Sequence, residues 1–296
     1  MTGTDLLLIS AQRTSTALLL ADAARRRGMV SRVLDGRAVA DGVVRPGEAV
    51  HWHGGPRLAD RITRRPGPDL EPGPGPGPGL GLGLDLGLLE PGDGWLAGLP
   101  REFTRRRITL EPFSSVRREA RGPVFLKPPS DKSFAPGVYG SGPDRGPAAR
   151  DLADLADLAD LARTLAPHTP VLVSDPVTFT AEYRLFVLDG RVVTGSRYAV
   201  YGRLDPGPLA PGARGFGEEL LAAVGGTLPS GVVVDVGTLE GGGWAVVEAN
   251  MAWFAQCYAA DPDAVLDVVL RAAGPLSRVT ERDRSFLRVT SRPESG

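Results

Sequence analysis

The stretch "VVVDVGTLEGGGWAVVEAN", Val232 to Asn250, constrains this chain more than any other. Two valine-rich runs flank a cluster of glycines, the pattern of an antiparallel hairpin. With Glu240 to Gly243 as a four-residue loop, Leu239 faces Trp244, and counting outward sets Asp235 opposite Glu248. Directly opposed residues have Cβ atoms about 4.5–5.5 Å apart, and like charges there repel. Two carboxylates held in register among valines call for a cation between them. Asn250 shares the face of Glu248, because strand positions i and i+2 point the same way. An isolated Glu-x-Asn reads most simply as a strand end followed by solvent. Two carboxylates and an amide oxygen together form a hard-ligand set suited to Mg²⁺ or Mn²⁺. A magnesium ion held by so few protein oxygens completes its octahedron with phosphate and water.

A second hairpin lies upstream in "EYRLFVLDGRVVTGSRY", where Asp189-Gly190 predicts a two-residue type I′ turn. Register from that turn pairs Leu188 with Arg191 and Glu182 with Arg197, and places Arg184 opposite Gly195. One cross-strand Glu–Arg pair is ordinarily a surface salt bridge of small energetic weight. Three charges on one face beside a glycine gap read as a ligand wall. "VFLKPP" ends an apolar strand in Lys127, which as an edge-strand gatekeeper is unremarkable. A second lysine, Lys132 in "SDKSF", reaches the same place if that segment is a loop.

The remaining text is quieter. "DLLLIS", "TALLLADAARRRG" and "MVSRVLDG" read as strand, helix and strand, with Gly28 closing the helix, and open an α/β unit. That unit has no G-x-G-x-x-G, so it signals no dinucleotide site. Glu71 to Gly94 is dominated by glycine and proline and predicts a mobile surface insertion without chemistry. "DLADLADLADLA", Asp151 to Ala162, predicts an acidic helix whose leucines drift around its surface, since a three-residue step turns a helix by about 300°. "GFGEELLAAVGG" is a short helix, and "DPDAVLDVVLRAAG" is a helix capped by Asp261 or Asp263. His51 and His53 share a strand face, but no third ligand follows at zinc spacing. His168, between prolines, reads as structural, and Cys257 as core. No Gly-x-Ser-x-Gly or phosphate-binding P-loop appears. With 296 residues and a net charge of −1, neither a nucleic acid nor a membrane surface is the expected partner. A single cysteine suits a reducing compartment. The acidic Asp5 and short apolar run at the start do not suit a signal peptide, so a cytoplasmic protein is expected.

Taken in order, Lys127, the hinge acid Asp175, Glu182-x-Arg184, Asp235 and Glu248-x-Asn250 resemble the ATP-grasp superfamily, and within it a branch rich in arginine as well as lysine. The likeness is strongest from Pro123 to Pro262. It implies that Asp235, Glu248 and Asn250 bind the metal ions bridging the ATP phosphates, Mg²⁺ or alternatively Mn²⁺. It further implies that Lys127 and Lys132 contact phosphate, that the backbone of Val173, Ser174 and Asp175 reads adenine, and that Glu182 binds ribose. Arg184 and Arg197 match basic positions facing phosphate or the acyl group. The family's usual first lysine has no counterpart here, and Arg106, between Arg105 and Arg107, is the candidate substitute. Where the branch continues past Glu-x-Asn with a Ser-Gly pair, this chain has Ala255-Gln256, which affects the acceptor side of the site.

The fold the resemblance implies is α/β and α+β, an ATP-grasp fold in three parts. An N-terminal α/β subdomain spans 1–120 and carries the insertion 71–94. A small lid spans 121–176, and a mixed-sheet C-terminal subdomain spans 177–296. The implied activity is carboxylate–amine ligation through an acyl phosphate, on small-molecule or peptide substrates. Such chemistry demands charge neutralisation and positioning rather than a protein nucleophile. A catalytically silent ATP-binding module and a kinase with a hydroxyl acceptor are the alternatives.

Overall fold

The computed structural model describes residues 4–12, 14–34, 42–63, 82–119, 122–129, 134–140 and 156–289. The chain opens as its hydrophobic pattern predicts, with β1 (Asp5–Ser10), α1 (Ser15–Arg26), β2 (Val30–Leu34), β3 (Ala49–His53) and α2 (Pro56–Thr63). The three strands form a parallel sheet in the order β2-β1-β3. Leu6, Leu7 and Leu8 are all fully buried, as a parallel strand covered on both faces requires. Thr14 caps α1 by accepting a hydrogen bond from the Ala17 amide at 3.1 Å, and Gly28, at φ 73°, lets the chain leave the helix.

The segment following the glycine-proline run departs from expectation. Residues 82–94 do not form part of a featureless insertion. Leu86–Leu88 is a strand, β4, and Leu86, Leu88 and Leu89 are buried. The alternation of leucine with glycine is a strand pattern whose small residues permit close approach: a Cβ on Gly87 would collide with a Val279 methyl. Composition concealed a packed element here. Residues 64–81, which carry most of the glycine-proline repeat, lie outside the described residues.

Next come α3 (Arg101–Thr104), β5 (Ile108–Pro112), α4 (Phe113–Glu119), β6 (Val124–Lys127), β7 (Gly137–Gly140), β8 (Ala156–Asp157), α5 (Leu158–Leu161) and β9 (Pro170–Ser174). A second sheet runs β5-β9-β6-β7-β8, so Ile108–Pro112 joins the strands of the lid by pairing with β9. The acidic repeat is not one long helix. Residues 151–155 lie outside the described residues, Ala156-Asp157 pair in parallel with β7, and only Leu158–Leu161 is helical. A three-residue period gives no persistent apolar face, so burial of Leu158 and Leu161 decides the local conformation.

The third sheet holds β10 (Phe179–Leu188), β11 (Arg191–Val200), β12 (Arg203–Pro208), β13 (Gly231–Leu239) and β14 (Trp244–Asn250), in the order β12-β11-β10-β13-β14. Helix α6 (Pro211–Val224) covers one face, where Leu185, Val187, Val234 and Val236 join its core. Helix α7 (Pro262–Ala272), capped by Asp261, covers part of the other face beside Phe186 and Val233. The same helix packs on α1 and β3, and the following β15 (Ala273–Pro275) pairs with β4. The chain's C-terminal part thus completes the N-terminal core. Arg26 and Arg27 meet Asp263 and Asp267 of α7 rather than ending a helix in solvent.

His51 and His53 are buried and serve this packing. His51 Nδ1 lies 3.1 Å from the Leu270 carbonyl, and His53 Nε2 lies 3.5 Å from that of Ala255. Burial pulls the His53 pKa down from 6.5 to about 4, against the raising effect of its carbonyl partner. Between those values the unfolded chain binds a proton that the folded chain refuses, so stability is full above pH 6.5 and is lost as pH falls.

Two measurements test this packing. Leu88→Ala is expected to lower the free energy of unfolding by about 2–5 kcal/mol, read by denaturant titration; an unchanged midpoint would return residues 82–94 to the surface. Unfolding measured between pH 6.5 and 5 should show stability falling with pH, part of a loss of about 3 kcal/mol over the full titration. His53→Asn should flatten that slope, and an equally steep slope in the variant would assign it elsewhere.

Candidate active site

The site grows from the β13–β14 hairpin. Asp235 does lie opposite Glu248, although the count that leads there contains two errors of one residue that cancel. Trp244 pairs with Thr238, not Leu239, because the turn is closed by the Leu239 amide donating to the Gly243 carbonyl at 3.0 Å. Gly241, Gly242 and Gly243 all adopt positive φ, which suits glycine. A bulge at Val247 then shifts the register back by one.

Arg106 lies under that bulge. It is buried, and its Nη1 donates to the carbonyls of Val246 at 2.9 Å and Thr104 at 3.0 Å, with Nη2 3.5 Å from that of Val247. The Phe179 ring lies 5.4 Å from its guanidinium. Burial pulls the Arg106 pKa down to about 10. Carbonyl groups that the bulge frees from the ladder are thereby satisfied.

Bulges also reshape the β10–β11 hairpin. Its turn is as expected, with Asp189 and Gly190 both at positive φ and Leu188 opposite Arg191. Two register shifts then leave Val193 and Tyr198 as extra residues. Glu182 pairs with Ala199 rather than Arg197, and Arg184 with Ser196 rather than Gly195. Gly195 instead permits close approach, since a Cβ there would lie 2.6 Å from the Arg184 carbonyl. Arg197 falls opposite Tyr183, on the other face, and its Nη2 reaches Asp205 of β12 at 2.9 Å. The expected Glu182–Arg197 pair does not form, and Arg197 stands apart from the cluster. Tyr198 takes the place at Glu182, donating its hydroxyl to Oε2 at 2.7 Å.

One connected cluster results. Arg184 grips the fully buried Asp235 with two bonds, Nε to Oδ1 at 2.9 Å and Nη2 to Oδ2 at 2.7 Å. Lys127, at the end of β6, bonds to Glu248 Oε2. The Asn250 amide donates to Glu248 Oε1 at 2.6 Å and lies 3.5 Å from Asp235 Oδ2. Burial alone would raise the Glu248 carboxyl, but Lys127, Asn250 and Arg184 hold it below the usual range. Burial works against the Arg184 guanidinium too, yet Asp235 outweighs it and raises the pKa. At Glu182 burial prevails over the Tyr198 hydrogen bond and raises the carboxyl. Each carboxylate of the hairpin therefore already has an internal cation.

Lys127, Glu182, Arg184, Asp235, Glu248 and Asn250 are brought together in this way. Val173 and Ser174 lie at the end of β9, where Ser174 pairs with both Ile108 and Phe125. Asp175 is exposed and accepts the Arg107 amide at 3.0 Å, which ties down the chain between the second and third sheets. Lys132 lies outside the described residues. A solvent-open cleft of about 430 Å³ beside the cluster is lined by Glu90, Asp93, Trp95, Lys127, Glu248 and Asn250.

Sequence reasoning missed two participants, Tyr198 and Tyr258. Both rings lie 5.4 Å from the Arg184 guanidinium carbon. Tyr198 is next to the arginine chosen in its place and could be found only by knowing the bulge. Tyr258 carries no local signal. Gln256 is joined to the N-terminal part by a hydrogen bond from the Thr16 hydroxyl to Oε1 at 2.8 Å, while its backbone carbonyl lies 3.4 Å from Arg184 Nη1.

Among the described residues no group of three His, Cys, Asp or Glu side chains is arranged to hold a metal. The candidate donor set is therefore Asp235, Glu248 and the oxygen of Asn250, which a rotation of its amide would present. Two adjacent carboxylates with an amide oxygen fit a hard divalent cation.

Internal pairing reverses one expectation about stability. Repulsion between the carboxylates would make their removal stabilising; with Asp235 paired to Arg184, Asp235→Asn instead leaves a buried guanidinium without its counter-ion. The variant is expected to lose about 3–5 kcal/mol, and Arg184→Met on the same background should restore much of it. Thermal melting of the two proteins decides, and an Asp235→Asn protein as stable as the parent would show that the pair contributes little.

Comparison with known proteins agrees with the arrangement. A family described as an ATP-grasp domain, the second family of its clade, matches residues 103–268. No curated protein matches the chain. Among solved structures, ATP-grasp ligase PsnB complexed with minimal precursor aligns at TM-score 0.44 and 14% identity, covering 90% of this chain and 98% of that one. Macrocyclase MdnC bound with precursor peptide MdnA, from Microcystis aeruginosa MRC, aligns at 0.44 and 11%, covering 90% and 99%. A RimK domain protein ATP-grasp from Sphaerobacter thermophilus DSM 20745 aligns at 0.45 and 16%, covering 90% and 100%. Likeness at this level carries no argument about activity, whereas the family match spans more than half of the chain. The chain belongs to this ATP-grasp domain family.

Proposed function

We propose that the protein is an ATP- and Mg²⁺-dependent carboxylate–amine ligase, acting on a small-molecule or peptide acid. The observation that carries this reading is the single buried cluster in which Asp235, Glu248 and Asn250 meet Arg184 and Lys127. ATP supplies the phosphoryl group that makes a substrate carboxylate an acyl phosphate, from which an amine displaces phosphate, leaving ADP, phosphate and an amide. Asp235, Glu248 and Asn250 would hold Mg²⁺, which neutralises phosphate charge. Arg184 and Lys127 are then free to turn their charge from these carboxylates to the phosphates. Glu182, already oriented by Tyr198, faces the ribose, and the backbone of Val173 to Asp175 faces adenine. Arg106 would reach phosphate only by leaving its carbonyl partners. Lys132 completes the phosphate contacts in this reading. Cys257, buried and bonded to Thr16, offers no activated nucleophile. That agrees with a chemistry made of positioning and charge. No helix among the described residues is long and apolar enough to cross a membrane.

Hydroxylamine tests the reading, because it intercepts an acyl phosphate without needing the acceptor pocket that Ala255-Gln256 alters. With Mg²⁺-ATP and a pool of amino acids and short peptides, ADP and a hydroxamate of at least one acid are expected. Arg184→Met should lower their formation by about 10²–10³-fold. ADP with a stable phosphorylated alcohol would mean a kinase, and tight ATP binding without ADP across a broad pool would mean a silent binding module.

A further inference from the structure

Arg184 poses a problem for this reading. Its two good hydrogen bonds go to Asp235, the residue assigned to the metal, and its remaining polar contact, to the Gln256 carbonyl, is 3.4 Å long. If Asp235 turned to a cation, these bonds alone would leave a long flexible side chain unanchored. Two rings supply what is missing. Tyr198 and Tyr258 stack on one another, with centroids 5.4 Å apart and planes inclined by 17°, and the Arg184 guanidinium lies 5.4 Å from each. A ring attracts a cation through its quadrupole without neutralising its charge. It therefore fixes the guanidinium and leaves its positive charge available to an anion.

Both rings arrive through irregular backbone. Tyr198 is the extra residue of a bulge in β11, and its hydroxyl is held by Glu182 at 2.7 Å. Tyr258 has φ 50°, a left-handed conformation unusual for a bulky side chain. Such strain persists where the surroundings impose it, and it clusters at functional sites. No turn or hairpin here needs a tyrosine in that conformation. Its effect is to carry the ring to Arg184, beyond the end of β14.

We infer that Tyr258, stacked on Tyr198, is a positioning residue that holds the Arg184 guanidinium in place once Asp235 is engaged by a metal ion. This rests on the proposed nucleotide site and adds to it a residue that touches neither nucleotide nor metal.

Tyr258→Asn gives the sharpest test, because asparagine accepts left-handed backbone readily and so relieves the strain while removing the ring. Its melting temperature should equal or exceed that of the parent, yet its calorimetric affinity for Mg²⁺-AMPPNP should fall by about tenfold, the scale of a desolvated cation–π contact. Tyr258→Phe keeps the ring and should bind within about twofold of the parent on the same grounds. An Asn variant that binds as the parent does overturns the inference, as does a Phe variant that loses as much as the Asn variant. An Asn variant that melts well below the parent overturns it too, since the ring would then be a structural support. A parent protein that fails to bind Mg²⁺-AMPPNP ends both this inference and the proposed function, and that result is seen before any variant is made.

Discussion

Two carboxylates facing one another in the interior are the constraint around which the rest of this structure is arranged. Asp235 is fully buried and stands opposite Glu248, and neither could remain ionised there alone. The protein answers with a separate cation for each. Arg184 comes from the neighbouring strand of the same sheet, and Lys127 comes from a different sheet. The Lys127–Glu248 bond therefore ties the second sheet to the third through the site itself. What holds the unliganded protein together at this point is the same charge that a metal and a polyphosphate would have to rearrange.

Bulges are the means by which the site is aimed. In a regular ladder one residue of register exchanges the two faces of a strand. The bulge at Val247 puts Glu248 on the face of Asp235 while leaving Val246 to the α6 core. The register shifts in β11 send Arg197 to the far face and bring in Tyr198. Arg106, buried beneath β14, satisfies the carbonyls around the first of these irregularities and helps to keep it in place.

The N-terminal part is closed by chain from the other end. Helix α7 fills the core of the parallel sheet, β15 pairs with β4, and Arg288 bonds to Asp60 and Glu90. Glu90 lines the cleft beside Lys127 and Glu248. The wall of the site is thus held by residues distant from it in sequence. The buried Trp253, whose indole donates to the Leu89 carbonyl at 2.9 Å, makes a second link of the same kind.

The sequence by itself determined the elements and most of the charges. Period-two runs gave the strands, Asp189-Gly190 and the glycines at 241–243 gave the turns, and Asp235, Glu248, Asn250, Arg184 and Lys127 are visible as ordered polar residues at the ends or on the faces of apolar runs. These are local signals, because side-chain alternation and turn chemistry act over a few residues. Tertiary structure alone decided which face Arg197 and Tyr198 take, since a bulge depends on the carbonyl partners and packing that stabilise it. It also decided that Leu86 and Leu88 are core rather than linker, because a glycine-rich stretch becomes a strand only when a partner such as β15 and a neighbour such as Val279 are there to meet it. Tyr258 joined the site for the same reason: its ring meets Arg184 only after the chain has turned back through left-handed backbone, and no pattern in the sequence records where such a turn will point.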